Sequence, residues 1–365
     1  MRIGLIASPW IPVPPAGYGG VERVVDALAR GFIAAGHEVV LAAASDSTCP
    51  APMVPGMRPS EPAELGFTLS EISHVIRAYQ GMGKVDIVHD HTLAGPLLAR
   101  KWTSAPVVTT IHGPLIPASA DLYRAMAAST GIIAISRDQT SHIPDVPVTR
   151  VIHHGIDAAS VPAGSGQGGY ACFVGRMCPD KGVMEAIDIA RAAGIPLRIA
   201  AKMREPGEID YFHSVVEPHL GSNEEFLGEL GDPDKYRLMG EALAFLNPIQ
   251  WSEPFGLVMI EALSTGTPVV GTRIGSAPEI VDHGKTGYLG PTEELPAFLS
   301  RAAALDRSLC RDRALKLFST ERMVRNHLDL FEELVEKSRA PGVSDGSEVN
   351  QNRVGGAASR SPEAS

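Results

Sequence analysis

Short apolar runs alternate with segments of helical periodicity along most of the chain. Ile3 to Ala7 is an uninterrupted apolar run, and a loop rich in Pro and Gly follows it. Val21, Val24, Val25, Leu28 and Phe32 then mark one face of a helix, which Gly36 is placed to end. Val39 to Ala43 predicts the next strand. Val85 to Val88, Val107 to Ile111, Ile132 to Ile135 and Val148 to Ile152 predict further ones. Strands that are apolar throughout, set between helices, indicate a parallel sheet covered on both faces. Residues 45–66 interrupt the pattern with irregular, Pro-rich sequence, as expected of a mobile loop over a cleft or of a plain surface connection.

The alternation breaks after Asp157. Pro162 to Gly169 has the composition of a flexible linker. It then restarts with a strand at Ala171 to Val174, a helix at Val183 to Ala193 and a strand at Leu197 to Ala201. Phe226-Leu227, Ala242 to Leu246 and Pro268 to Gly271 suggest three more strands. The predicted organisation is α/β: two Rossmann-like domains facing each other across a cleft. The first covers residues 1–157, a linker follows over 158–169, and the second covers 170–320. Val324, Leu328, Phe331 and Val335 predict a helix over 321–338 that could pack back on the first domain. From residue 339 to 365 there is no aromatic, Leu or Ile, and that tail is expected to be disordered.

Composition narrows the function classes. The 365 residues suit two domains, and 44% hydrophobic residues are enough for two cores. A net charge of −10 disfavours nonspecific nucleic-acid binding and argues weakly against an anionic membrane surface. Cys49, Cys172, Cys178 and Cys310 are scattered and form no CxxC pair, so a zinc site or disulfide framework is not expected. A reduced, cytoplasmic setting is expected instead. The first residues lack the apolar core of a signal peptide, and no stretch approaches a membrane span. Glu71 to Lys84 has few basic residues and makes a poor membrane-surface helix.

The strongest chemical signal is Trp251-Ser252-Glu253-Pro254-Phe255-Gly256-Leu257-Val258-Met259-Ile260-Glu261-Ala262. Pro254 and Gly256 shape a tight turn, and an apolar helix begins just after it. Free backbone N–H groups at a helix start favour an anion. Glu253 would stand at the mouth of that site, with Glu261 about two turns along one face. Carboxylates accept hydrogen bonds from hydroxyls, so the pair could hold two sugars. By spacing alone, two solvated glutamates beside an ordinary turn explain the pattern as well.

Three further clusters follow strands. Phe173-Val174-Gly175-Arg176 with Lys181-Gly182 sets two cations near a helix start, an unfavourable place without an anion between them. Pro14 to Glu22 is a glycine-rich loop after the first strand, where Gly19 and Gly20 would let backbone approach a ligand. It lacks the GxGxxG spacing. Thr110-Ile111-His112-Gly113 ends a strand, where a His faces the ligand crevice or is simply a satisfied buried His. His89-Asp90-His91 looks like a metal triplet, but alternation along a strand end denies His89 and His91 a shared third ligand. Asp232-Pro233-Asp234 resembles a metal-binding Asp-x-Asp but reads as a helix start, with Asp232 as cap and Pro233 in the first position. Ser136 before Arg137 reads as a helix cap.

The Glu253–Glu261 motif, followed by Ser264 to Val270, Gly275 to Val281 and Asp282 to Leu289, resembles the retaining glycosyltransferases of family 4. The resemblance runs from the first strand to about residue 338 and is densest between 170 and 290. It implies a GT-B fold and sugar transfer from a nucleoside diphosphate sugar to an acceptor hydroxyl with retained configuration. It implies that Glu253 contacts donor-sugar hydroxyls and that Glu261 binds the ribose. The amides around Phe255, Gly256, Leu257 and Val258 would meet the sugar and diphosphate. Arg176 and Lys181, after Gly175, would hold the diphosphate in place of a divalent ion, so neither metal nor cofactor is expected. Gly19 and Gly20 would approach the donor phosphate or the acceptor, and His112 would stand beside the reacting sugar. His91 and Arg137 are the looser matches, toward the acceptor. The resemblance further implies attack by the acceptor on the face from which the diphosphate leaves, with the leaving phosphate accepting the proton.

One departure is visible. His153-His154-Gly155-Ile156-Asp157 replaces the commoner Pro-Asn-Gly-Val-Asp at the domain junction, where those positions serve the turn. Two other readings stand beside the transferase: a nucleotide-sugar epimerase on the same fold, and a noncatalytic nucleotide-sugar binder. The intact set of Glu253, Glu261, Arg176, Lys181 and His112 argues against the binder. The absence of a recognisable pyridoxal-phosphate lysine disfavours a sugar phosphorylase. Nothing in the sequence separates UDP, GDP and ADP, or fixes the sugar, the acceptor or the oligomeric state.

Overall fold

A computed structural model describes residues 1–17 and 19–340. The first half contains β1 (Arg2–Ile6), α1 (Gly20–Ala34), β2 (Glu38–Ala42), α2 (Thr68–Gly81), β3 (Ile87–Asp90) and α3 (Gly95–Leu98). It continues with β4 (Val107–Ile111), α4 (Ala120–Ala127), β5 (Gly131–Ala134), α5 (Arg137–Ser141) and β6 (Arg150–Val151). The second half opens with β7 (Ala171–Arg176), α6 (Val183–Ala193), β8 (Leu197–Lys202), α7 (Pro206–Tyr211), β9 (Glu224–Phe226) and α8 (Asp232–Glu241). Then come β10 (Ala244–Asn247), α9 (Leu257–Ser264), β11 (Val269–Thr272), α10 (Ala277–Ile280) and β12 (Gly287–Gly290). Helices α11 (Leu295–Ala302), α12 (Arg307–Leu317) and α13 (Thr320–Arg339) close the described chain.

Both sheets have six parallel strands. Their orders are β2-β1-β3-β4-β5-β6 and β12-β11-β10-β7-β8-β9. The chain reverses direction across each sheet at one place, between β1 and β3 in the first and between β7 and β10 in the second. Loops leaving two adjacent strands part there and leave a crevice at the strands' C-terminal ends. The glycine-rich loop follows β1, the Arg176–Lys181 segment follows β7, and the Glu253 loop follows β10. The topology therefore delivers these three segments to the two crevices.

Helix α13 returns to the first domain. Met323, Val324, Leu330, Phe331 and Val335 are buried with α1 and the β1–β2 side of that sheet. Phe331 meets Phe32 with ring centroids 5.5 Å apart. The close approach needs Gly31, since a Cβ there would lie 2.2 Å from Val324 Cγ2. The outgoing and returning crossings between domains run side by side. The Ile156 N–H donates to the Phe318 carbonyl, and the Thr320 N–H donates to that of Ile156, both at 2.9 Å. Arg339 ends the helix and reaches Asp86 at 2.8 Å. The rest of the predicted tail, from residue 341, lies outside the described residues, as does Tyr18 of the glycine-rich loop.

One segment differs from its composition-based expectation, and another takes one of its two expected forms. Residues 158–169, predicted as a flexible linker, are strapped along the second domain. Gly164 donates to the Thr265 carbonyl at 2.9 Å and Gly168 to that of Glu241 at 2.8 Å, while Ala158 and Val161 are buried. Residues 45–66 form the surface connection that was one of their two expected forms, lying against the edge strand β2 and not over a cleft. Leu41 donates to Pro52 and Val54 donates back to Leu41, each at 2.8 Å, and Val54 and Met57 share a core with Tyr79 and Met82. No described helix is long and apolar enough to cross a membrane.

Candidate active site

A cavity of about 620 Å³ lies between the two domains, within the size range of small-molecule sites. The first domain contributes the glycine-rich loop, Arg23, His112 and His154. The second contributes Gly175, Arg176, Lys181, Glu229 to Asp232, Lys235, Asn247, Trp251, Glu253 to Val258 and Glu261. Gly19, Gly20, His112, Gly175, Arg176, Lys181, Glu253, Phe255, Gly256, Leu257, Val258 and Glu261, separated in sequence, thus share one cavity.

Glu253 and Lys181 form an ion pair with side chains only 15% and 11% exposed. The second carboxylate oxygen of Glu253 is buried and has no partner, an unsatisfied acceptor on a residue that lines the cavity. Gly256 precedes α9 with φ of 82°, in the left-handed region where a side chain would be strained. Gly256, Leu257 and Val258 line the cavity, so the first N–H groups of α9 start beside it. These groups lack carbonyl partners within the helix and favour negative charge. Arg176, which also lines the cavity, lies 3.4 Å from Asp180.

Glu261 is held from a different side. Lys235 Nζ lies 2.7 Å from Glu261 Oε1 and 3.0 Å from Asp232 Oδ1. Arg23 of α1 completes the chain across the cleft, 2.6 Å from Asp232 Oδ2, and also donates to the Gly17 carbonyl at 3.0 Å. Burial works to raise the Asp232 carboxyl, but Lys235 and Arg23 outweigh it and hold it below the ordinary carboxylate range. Asp232 therefore does not cap α8. Gly231 occupies the cap position without a side-chain bond, and the carboxylate serves the two cations.

His112 sits in a run of imidazoles. Its Nε2 lies 2.8 Å from His91 Nδ1, and its ring stacks on His154 with centroids 5.2 Å apart. His91 packs on His89 at 4.0 Å, and His89 on His327 of α13 at 5.2 Å. Burial pushes every one of these rings below the ordinary imidazole range, His112 to about 3 and His327 to about 4. They are neutral at physiological pH. His154 corrects a sequence expectation: beyond shaping the junction turn, it lines the cavity between His112 and Phe255.

The two acceptor-side candidates do not reach the cavity. His91 lies behind His112, and Arg137 is exposed, its backbone N–H donating to Glu279 Oε2 at 3.0 Å. Asp138 N–H donates to Glu279 Oε1 at 2.9 Å, so a residue of α10 caps α5 across the domain junction, beside the Ser136 side chain. Among the described residues no cluster of three His, Cys, Asp or Glu side chains is arranged to hold a metal ion. Sequence reasoning missed Arg23, Asp232, Lys235 and His154 as cavity residues. Each is placed by a partner remote in the chain, and no local spacing announces it.

The comparisons with known proteins agree with this arrangement. The sequence model of Glycosyltransferase Family 4 matches residues 18–160, and that of Glycosyl transferases group 1 matches residues 168–306. A glycogen synthase of Mycobacterium tuberculosis is 30% identical over 348 residues, covering 79% of this chain and 81% of that protein. AviGT4, a glycosyltransferase involved in avilamycin A biosynthesis, superposes with a TM-score of 0.69 at 27% identity, covering 92% of this chain and 98% of its own. HepE of Anabaena, solved in complex with UDP-glucose, has the same fold, with a TM-score of 0.71 at 20% identity over 91% of this chain and 100% of its own. The chain belongs to glycosyltransferase family 4, and it is an enzyme of the GT-B fold.

Proposed function

We propose that this glycosyltransferase draws its sugar from a nucleoside diphosphate sugar, retains the anomeric configuration and needs no bound metal. The observation that carries the reading is the meeting of Arg176, Lys181 and the start of α9 on one cavity. Together they offer cationic and N–H groups to a diphosphate, the charge that grows as the sugar departs. Glu253 would hold the sugar hydroxyls through its unpartnered oxygen, and Glu261 the ribose. Retention follows if the acceptor hydroxyl attacks from the face that the diphosphate leaves, with the departing phosphate taking its proton. On that path the residues orient and stabilise without forming a covalent bond. The complex of HepE with UDP-glucose supports a nucleotide-sugar donor. The four described cysteines are all free, which suits a reducing cytoplasm.

The test is to incubate the enzyme with UDP-, GDP- and ADP-sugars and a panel of acceptors, with EDTA or with Mn²⁺. The anomeric configuration of the product is then read by proton NMR. One nucleotide class should support turnover equally in EDTA and give the donor's own anomer. An inverted product, or activity restored only by Mn²⁺, would contradict the proposal.

A further inference from the structure

His112 has two ring nitrogens with different surroundings. Nε2 is taken by His91 Nδ1 at 2.8 Å, so Nδ1 is the nitrogen left to the cavity that His112 lines. A neutral ring carries one proton, and its position decides whether the cavity meets a donor or an acceptor. The neighbours decide it. His327 Nδ1 lies 2.8 Å from the Met323 carbonyl, so that nitrogen carries the proton. His89 has one partnered nitrogen, Nε2, 2.8 Å from Thr110 Oγ1, while its Nδ1 is buried and unpartnered. His91 repeats the pattern, with Nδ1 bonded to His112 and Nε2 buried without a partner. An orphan buried N–H is rarer than an orphan lone pair. The least costly arrangement puts the proton of His91 on Nδ1, where it has an acceptor. His112 Nε2 must then accept, and His112 carries its own proton on Nδ1.

We propose that His91 is a positioning residue that fixes His112 as the Nδ1–H tautomer, so that the cavity meets a hydrogen-bond donor aimed at an oxygen of the transferred sugar. The first half concerns the protein alone, and the second rests on the donor reading above. The burial that keeps all five rings neutral makes the tautomer a fixed property across physiological pH.

The experiment records the ring-nitrogen NMR shifts of His112 in the wild-type protein without ligand, assigned by comparison with His112→Gln. A protonated Nδ1 and a bare Nε2 are expected. A protonated Nε2 would overturn the proposal whatever the enzyme's substrate. His91→Asn keeps a side-chain N–H near the position of Nδ1, whereas His91→Leu removes it. His91→Asn should keep the tautomer and stay near wild-type kcat. His91→Leu should mix the tautomers and lower kcat about tenfold, the worth of one neutral hydrogen bond, with donor KM changing little. Donors deoxygenated at successive positions should include one for which wild type and His91→Leu turn over alike. If His91→Leu misfolds, the wild-type shifts and the His91→Asn spectrum still decide. Equal losses in His91→Asn and His91→Leu would make His91 a packing residue only. Fixed tautomers with no donor analogue that removes the difference would sink the sugar contact alone.

Discussion

Arg23 Nη1 and Asp232 Oδ2 stand 2.6 Å apart across the mouth of the cleft, although 209 positions separate them in the chain. One belongs to the first helix of the first domain and the other to the second domain. The pair therefore reports the closed arrangement of the two halves. Both side chains are more than a third exposed, at 35% and 40%, so solvent screens the interaction and it contributes at most about 1 kcal/mol. Arg23→Ala should weaken nucleotide-sugar binding up to about fivefold at low salt. The gap from wild type should narrow as salt rises, because screening removes what the variant lacks. Calorimetric titration at two ionic strengths checks this, and a gap that stays constant would contradict the latch.

Lys235 lies between two carboxylates, and removing it leaves Asp232 and Glu261 with less compensation. Lys235→Met should lower thermal stability and raise donor KM more than it lowers kcat, because Glu261 loses the contact that orients it. Adding Glu261→Gln should recover part of the stability, since the buried charge goes with it. Donor KM should not recover. Melting curves and steady-state kinetics of the single and double variants separate the two effects.

Arg176→Ala should cut turnover on the order of 100-fold, the cost of losing one preorganised charge-stabilising donor. Arg176→Lys should recover part of the rate, since it restores the charge but not the planar fork. A wild-type rate in Arg176→Ala would contradict the diphosphate role.

The buried imidazoles make stability depend on pH with a definite sign. His112 and His327 titrate far below an unfolded histidine, at about 3 and about 4. Between those values and about 6.5 the unfolded chain binds more protons, so stability falls as pH falls. Each such histidine contributes a slope of about 1.4 kcal/mol per pH unit in that window. The melting temperature should therefore drop steadily below about pH 6.5, and His327→Gln should flatten the slope. A melting temperature flat from about pH 7 to 5 would contradict the neutral cluster.

The contact of α13 with α1 has its own test. Phe331 is fully buried against Phe32, and Phe331→Ala should destabilise the protein by about 3–5 kcal/mol. Denaturant unfolding checks the loss.

The sequence carried much of the fold because periodicity is a local signal. The spacing of Val324, Leu328, Phe331 and Val335 traces the face of α13 that meets α1. β12 escaped because Gly287-Tyr288-Leu289-Gly290 begins and ends in glycine and reads as a turn. Its burial comes from α11, whose Phe298 stacks on Tyr288 at 5.3 Å. In the site, Glu253, Arg176 and Lys181 were legible because each sits beside a turn or a strand end with a recognisable pattern, and Glu261 because its spacing from Glu253 along α9 belongs to the same motif. Arg23 and Lys235 were not, because a cation on a helix reads as a solvated face until its partner in another element is known. Asp232 shows the same limit from the other side. Its position before Pro233 suggests a cap, and only the approach of Arg23 and Lys235 shows what the carboxylate does.

On the proposed reading, Arg176 and its neighbours hold a nucleoside diphosphate. The most direct measurement is a thermal-shift panel of UDP, GDP, ADP and their sugars on wild type and Arg176→Ala. A ligand at about 100 times its dissociation constant adds roughly 2.7 kcal/mol, a readily visible shift. One nucleotide class should stabilise the wild type, and Arg176→Ala should respond less to it. No shift with any nucleotide, or equal shifts in both proteins, would contradict the account.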